Sequence, residues 1–114
     1  MTNPTITRTE LRGLIDAGTV TLVEALPASY YDDGHLPGAI NIPHTEVREL
    51  APSLLPDKDA QIVVYCADER CPNSGIAAHV LIKLGYSDVR TYPEGKADWV
   101  EAGLPLEQAT PVAG

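Results

Sequence analysis

The sequence predicts an α/β fold: a central parallel β-sheet flanked by helices on both faces. Three observations carry that prediction. Short β-branched runs alternate along the chain with stretches of helical periodicity, the pattern of parallel strands joined by crossovers. One run, QIVVY at 61–65, is almost continuously apolar, as a strand covered on both faces must be. The chain has 114 residues, 44% of them hydrophobic, enough for one core without disulfide staples.

Each element has its own reason. Thr7 and Glu10 have capping-box spacing, so a helix starts there; Leu11, Leu14 and Ile15 give it an apolar side and Gly18 a stop. VTLVEAL, from Val20, is short and β-branched and reads as a strand. The turn-rich DDGHLPGA leads into a short apolar strand, AINI. A helix over Thr45–Leu50 is expected to break at Pro52 and Pro56. After QIVVY comes the loop YCADERCPNSG, Tyr65–Gly75. A helix follows it in which Ala77, Val80, Leu81 and Leu84 share one face, and Gly85 ends it. Val89–Tyr92 is the last strand, and DWVEAG a short helix closed by Gly103. A single domain over 1–106 results, with 107–114 expected as a flexible tail without periodicity.

Composition excludes several classes of function. The formal charge is −8, and no basic stripe with interleaved aromatics is present, so nucleic acid and anionic membrane are not expected partners. No apolar stretch approaches the ~20 residues that span a bilayer. The first residues, MTNPTITRTE, have neither a basic start nor an apolar signal core, and a cytoplasmic location is expected. Thiols stay reduced there, so the two cysteines, Cys66 and Cys71, point to reactive chemistry more than to a structural bridge. His35, His44 and His79 are not paired with them at ligand spacing, and no metal or other cofactor is expected.

The cysteine loop leaves the carboxyl end of the most apolar strand and enters a helix N-terminus, where ligands bind in sheets of this kind. Unpaired N–H groups and the helix field would stabilise a thiolate at Cys66 and lower its pKa. Asn73 or Ser74 could cap that helix and turn the loop N–H groups inward. Cys66 is therefore the candidate nucleophile; the bland alternative is a small buried core residue. His35 is expected to hydrogen-bond within its turn, Trp99 to anchor packing, and His79 to face solvent. Pro93, Glu94 and Gly95 could line the rim of the site.

Taken in order, LVEA, YYDDGHLPGAINIP, IVVYC, AAHVLIKLGYSDVRTYPEG and DWVEAGLP resemble the rhodanese-like family, from Ile6 to Pro105. The resemblance implies a sulfurtransferase. A cysteine at the end of the central strand, here Cys66, takes sulfane sulfur from a donor such as thiosulfate or a persulfide. It holds that sulfur as its own persulfide and passes it to a thiol or protein acceptor. Backbone N–H groups of the loop, Ala67, Asp68, Glu69, Arg70, Cys71, Asn73 and Ser74, would cradle the sulfur, with Ser74 and Arg70 assisting.

The chain departs from the family pattern in specific places. The active loop is longer than usual. Asn73 stands where an arginine commonly precedes the helix-starting serine, and Arg70 is the loop's own arginine. Glu24 and Leu26 replace an aspartate and an arginine after the first buried strand. Asp68 and Glu69 beside the nucleophile would repel dianionic thiosulfate. Cys71 is either a resolving thiol for Cys66 or a packing residue beneath the loop. Two other readings stand beside the sulfurtransferase: a thiol redox or sensing module using both cysteines, and a non-catalytic domain that binds a protein partner.

Overall fold

The computed structural model describes residues 4–108. In chain order the elements are α1 (Arg8–Ala17), β1 (Val20–Glu24), α2 (Ala28–Asp33), β2 (Ile40–Asn41), a 3₁₀ turn (His44–Glu46), α3 (Val47–Leu54), β3 (Gln61–Tyr65), α4 (Asn73–Lys83), β4 (Val89–Tyr92) and α5 (Gly95–Glu101). The four strands form one parallel sheet in the order β2-β1-β3-β4. The expected α/β architecture, a central parallel sheet flanked by helices, is therefore what the chain adopts.

Alternation along β3 divides the core. Ile62 and Val64 face α3 and α4, packing with Val47, Ala51, Ala77, Ala78 and Leu81. Val63 and Tyr65 face the other way, with Leu11 of α1, Trp99 of α5 and Leu36. Both faces of the strand are dry, which is why QIVVY carries no alternation in its sequence. Register places Glu24, Tyr65 and Tyr92 in one row across the carboxyl ends of β1, β3 and β4. That row underlies the functional site.

Local signals held where the chemistry was local. The Thr7–Glu10 capping box forms with both reciprocal bonds, and Gly18 ends α1 in the left-handed conformation. Other elements differ from expectation. ASYYDD, of which only Asp32 and Asp33 fell in the expected turn segment, is the helix α2, with Pro27 at its N-cap. α3 runs to Leu54 with Pro52 inside it. Val47 and Ala51 are buried against α4, and that packing carries the helix past the donor proline lacks. α5 begins at Gly95, before the aspartate where it was expected.

The stretch 107–114, expected as a flexible tail, begins with Glu107, whose N–H and C=O both bond His35, each at 2.8 Å. Residues 109–114 lie outside the described residues. His35 is pinned in its turn as expected: its Nδ1 lies 3.0 Å from the Tyr31 carbonyl and its ring stacks on Tyr31 at 3.8 Å. Trp99 is buried and donates to the Pro105 carbonyl, an anchoring role. His79 is half-buried rather than exposed.

Candidate active site

Cys66 is the first residue beyond β3 and is 1% exposed. Its backbone is held from one side by α5. The N–H groups of Lys96 and Ala97, orphan donors of that helix's first turn, bond the carbonyls of Cys66 (3.0 Å) and Ala67 (2.8 Å). The helix has no side-chain cap, and the loop backbone supplies the missing acceptors. This close approach needs glycine at 95. Gly95 has φ 63°, and an added Cβ would collide with the Cys66 carbonyl oxygen and stand 3.0 Å from the Ala67 carbonyl carbon. Gly95→Ala is expected to cost about 2–4 kcal/mol through left-handed strain plus overpacking. A urea midpoint within error of wild type would refute this clamp.

From the other side the loop folds back over the sulfur. Asp68 makes the turn: its carboxylate accepts from Arg70 N–H at 2.9 Å and its carbonyl from Cys71 N–H at 3.2 Å. Cys66 Sγ then donates to the Cys71 carbonyl at 3.2 Å. Ser74, itself buried, is near enough to the sulfur to favour its anion. Asn73 and Ser74 lie inside the first turn of α4 and neither side chain caps it; Pro72 is the N-cap. The expected side-chain cap is absent because the N-cap position falls on Pro72, whose side chain has no polar atom.

Two opposing effects set the Cys66 thiol, and burial wins. Burial, and next the Cys71 thiol, push it up to about 11, against the two Ser74 hydrogen bonds that favour the thiolate. This corrects the lowered pKa expected from position alone. The strand end leaves the sulfur dry, so desolvation of the anion outweighs the donors. At rest Cys66 is a thiol whose proton points at the Cys71 carbonyl.

The structure thus brings Cys66, Cys71 and Ser74 together and separates them from Glu69 and Arg70. The latter two are exposed, while Ala67, Asp68 and Asn73 are half-buried. Arg70 lines an outer cleft of about 390 Å³ with Asp68, Glu69, Glu94, Asp98 and Glu101. Asp98 is paired with Arg8 at 2.8 Å, but the rim stays acidic. Of the rim candidates, Glu94 lines this cleft and Gly95 serves the clamp.

Sequence reasoning missed Lys96 and Tyr65. Lys96 Nζ lies 3.0 Å from Glu24 Oε1, a carboxylate with no exposed surface, and donates to the Tyr30 carbonyl at 3.0 Å. The Tyr65 hydroxyl donates to the same Glu24 oxygen at 2.8 Å and accepts from Leu36 N–H. Burial raises the Glu24 pKa, while Lys96 and Tyr65 hold it down. The cation that Leu26 cannot supply comes from Lys96 instead. One signal was available: lysine in the first turn of a helix opposes the helix dipole, so it needs another reason to be there.

Comparison with known proteins agrees with this fold. The family model described as Rhodanese-like domain matches residues 7–102. The chain is 39% identical over 107 residues to the HTH-type transcriptional regulator Rv0324 of Mycobacterium tuberculosis, covering 94% of this chain and 46% of that protein. It is 42% identical over 59 residues to the thiosulfate sulfurtransferase PspE of Escherichia coli, covering 52% of this chain and 55% of PspE. The chain thus spans about half the length of these two relatives. The human single-domain sulfurtransferase TSTD1 superposes with a TM-score of 0.74 at 26% identity, over 88% of this chain and 97% of TSTD1.

Proposed function

The chain belongs to the rhodanese-like domain family, and on that premise we propose that it is a sulfurtransferase carrying sulfane sulfur on Cys66. The observation that carries the reading is the buried Cys66 sulfur just past the carboxyl end of β3, held under the loop by its bond to the Cys71 carbonyl and near Ser74. After losing its proton, Cys66 attacks the outer sulfur of thiosulfate. The sulfur–sulfur bond breaks, sulfite leaves with the electron pair, and a Cys66 persulfide remains. An acceptor thiolate then attacks the outer persulfide sulfur and regenerates Cys66. Ser74 is the group nearest for donating to negative charge on sulfur, whereas the Arg70 and Cys71 N–H groups, expected in the cradle, are bonded to Asp68 instead. A reducing, cytoplasmic compartment belongs to the same proposal, since the chemistry needs Cys66 as a free thiol. No helix among the described residues is long and apolar enough to cross a membrane.

The test is intact-mass measurement after incubation with thiosulfate, with sulfite measured alongside. One added sulfur atom and stoichiometric sulfite are expected. An unchanged mass and no sulfite would favour the non-catalytic binding domain.

The acidic rim makes a second expectation about donors. Asp68 and Glu69 repel a dianion, so Asp68→Asn with Glu69→Gln should lower the KM for thiosulfate roughly 3- to 10-fold at low ionic strength. Added salt should narrow the gap between variant and wild type by screening. Equal KM values at low salt would remove charge as the cause.

A further inference from the structure

Cys71 is the one nucleophilic side chain beside Cys66 that the transfer chemistry leaves unused. We propose that Cys71 is a second sulfur-handling residue: its thiol attacks the inner sulfur of the Cys66 persulfide, closes a Cys66–Cys71 disulfide and expels the outer sulfur as hydrosulfide. The step rests on the sulfurtransferase reading and extends it from sulfur transfer to sulfide release.

The geometry supports it from three directions. Cys66 Sγ is 3.2 Å from the Cys71 carbonyl, and the Cys71 thiol is near enough to influence the Cys66 titration. Cys66 is almost wholly buried, so an external acceptor must open the loop to reach it, whereas Cys71 already lies beside its sulfur. The two ends of the loop also differ in freedom. Cys66 and Ala67 are clamped by α5, while Cys71 sits on a turn held by the two bonds to Asp68. Cys71 can therefore swing toward a fixed Cys66.

The step balances without an added oxidant. The Cys71 sulfur forms a bond to Cys66 Sγ, and the bond from Sγ to the outer sulfur breaks with its electron pair. The outer sulfur takes up the Cys71 proton and leaves as HS⁻. It is reduced by two electrons, which the two cysteine sulfurs supply by becoming a disulfide. A further cycle requires a low-molecular-weight thiol or a dithiol protein to reduce that bridge.

The test is a single turnover of the full chain with one equivalent of thiosulfate, without air or reductant. Sulfite, sulfide and protein mass are followed together. Wild type should release sulfite first and then sulfide, ending two hydrogens lighter, with a Cys66–Cys71 peptide found by mapping. Cys71→Ser and Cys71→Ala should still release one equivalent of sulfite, at a rate free to differ, retain the extra sulfur, and yield sulfide ~10-fold more slowly or not at all. Wild type that keeps its persulfide as long as the variants, or that maps no bridge, overturns the role of Cys71 while sparing sulfur transfer. Absence of sulfite from all three proteins overturns both. Mapping on wild type needs no variant, so a misfolded substitution cannot obscure the result.

Discussion

Cys66→Ser is expected to abolish sulfur transfer, to below about 10⁻³ of the wild-type rate, while the fold survives. A serine hydroxyl cannot store sulfane sulfur, and it is close enough in size to remain under the loop. The wild-type protein should also carry a signature of its buried thiol. With the thiol pushed up to about 11, on the order of 10⁻⁴ of Cys66 is ionised at pH 7. Because the thiolate is the attacking form, single-turnover sulfite release should climb with pH, nearly tenfold per unit, until it approaches that value. An ordinary cysteine would level off near ~8.5. Full transfer by Cys66→Ser would remove the residue from the mechanism. A plateau near neutrality would mean that the helix field and Ser74 dominate over burial.

Lys96→Met is expected to be the most damaging change to stability away from the hydrophobic core, at about 3–5 kcal/mol near pH 8. It strands the Glu24 carboxylate, which has no exposed surface and whose Oε2 already has no hydrogen-bond partner. The loss should depend on pH with a definite sign. Burial raises the folded-state pKa of Glu24, and removing Lys96 takes away the largest influence holding it down. The folded variant then binds a proton more tightly than the unfolded chain does. Stability therefore recovers as pH falls toward the unfolded value of ~4.3 and is lost as pH rises from there. Urea midpoints between pH 5 and 8 read this directly. Adding Glu24→Gln to Lys96→Met should restore much of the loss and flatten the pH slope. A loss under ~1 kcal/mol, or no pH dependence, would show the pair to be dispensable.

What could be read from sequence, and what could not, divides by range. The capping box at Thr7, the apolar β3 and the Gly18 stop are decided by neighbours a few residues apart, and they are in place. So are the parallel sheet and the position of Cys66 at the end of β3, because strands joined by helical crossovers leave few topologies. The helix α2 escaped notice because ASYYDD has no apolar stripe, and none of its residues is buried. The Glu24–Lys96 pair joins residues far apart in sequence, and nothing near either one announces the other. The Cys66 pKa was misjudged for a related reason. Position predicts the donors around a sulfur, but only the packed structure tells how dry it is. Arg70, adjacent to the acids and near Cys66 in sequence, ends up outside on the cleft.

The segment leading into α1 has a consequence for self-association. β4 is the last strand of the sheet, but Thr91 accepts from Ile6 N–H and donates to the Pro4 carbonyl, each at 2.9 Å. Residues 4–6 thus lie along β4 as a short parallel addition, through the Thr5–Thr91 bridge. They occupy main-chain groups that would otherwise template another chain's strand. At the opposite border β2 is only two residues long, between Pro37 and Pro43, too short to recruit a neighbour. Both borders are blunted by different means, one covered and one curtailed. Trimming the chain through Ile6 would strip only the covered one, turning β4 into an open edge on which sheets of separate molecules could join.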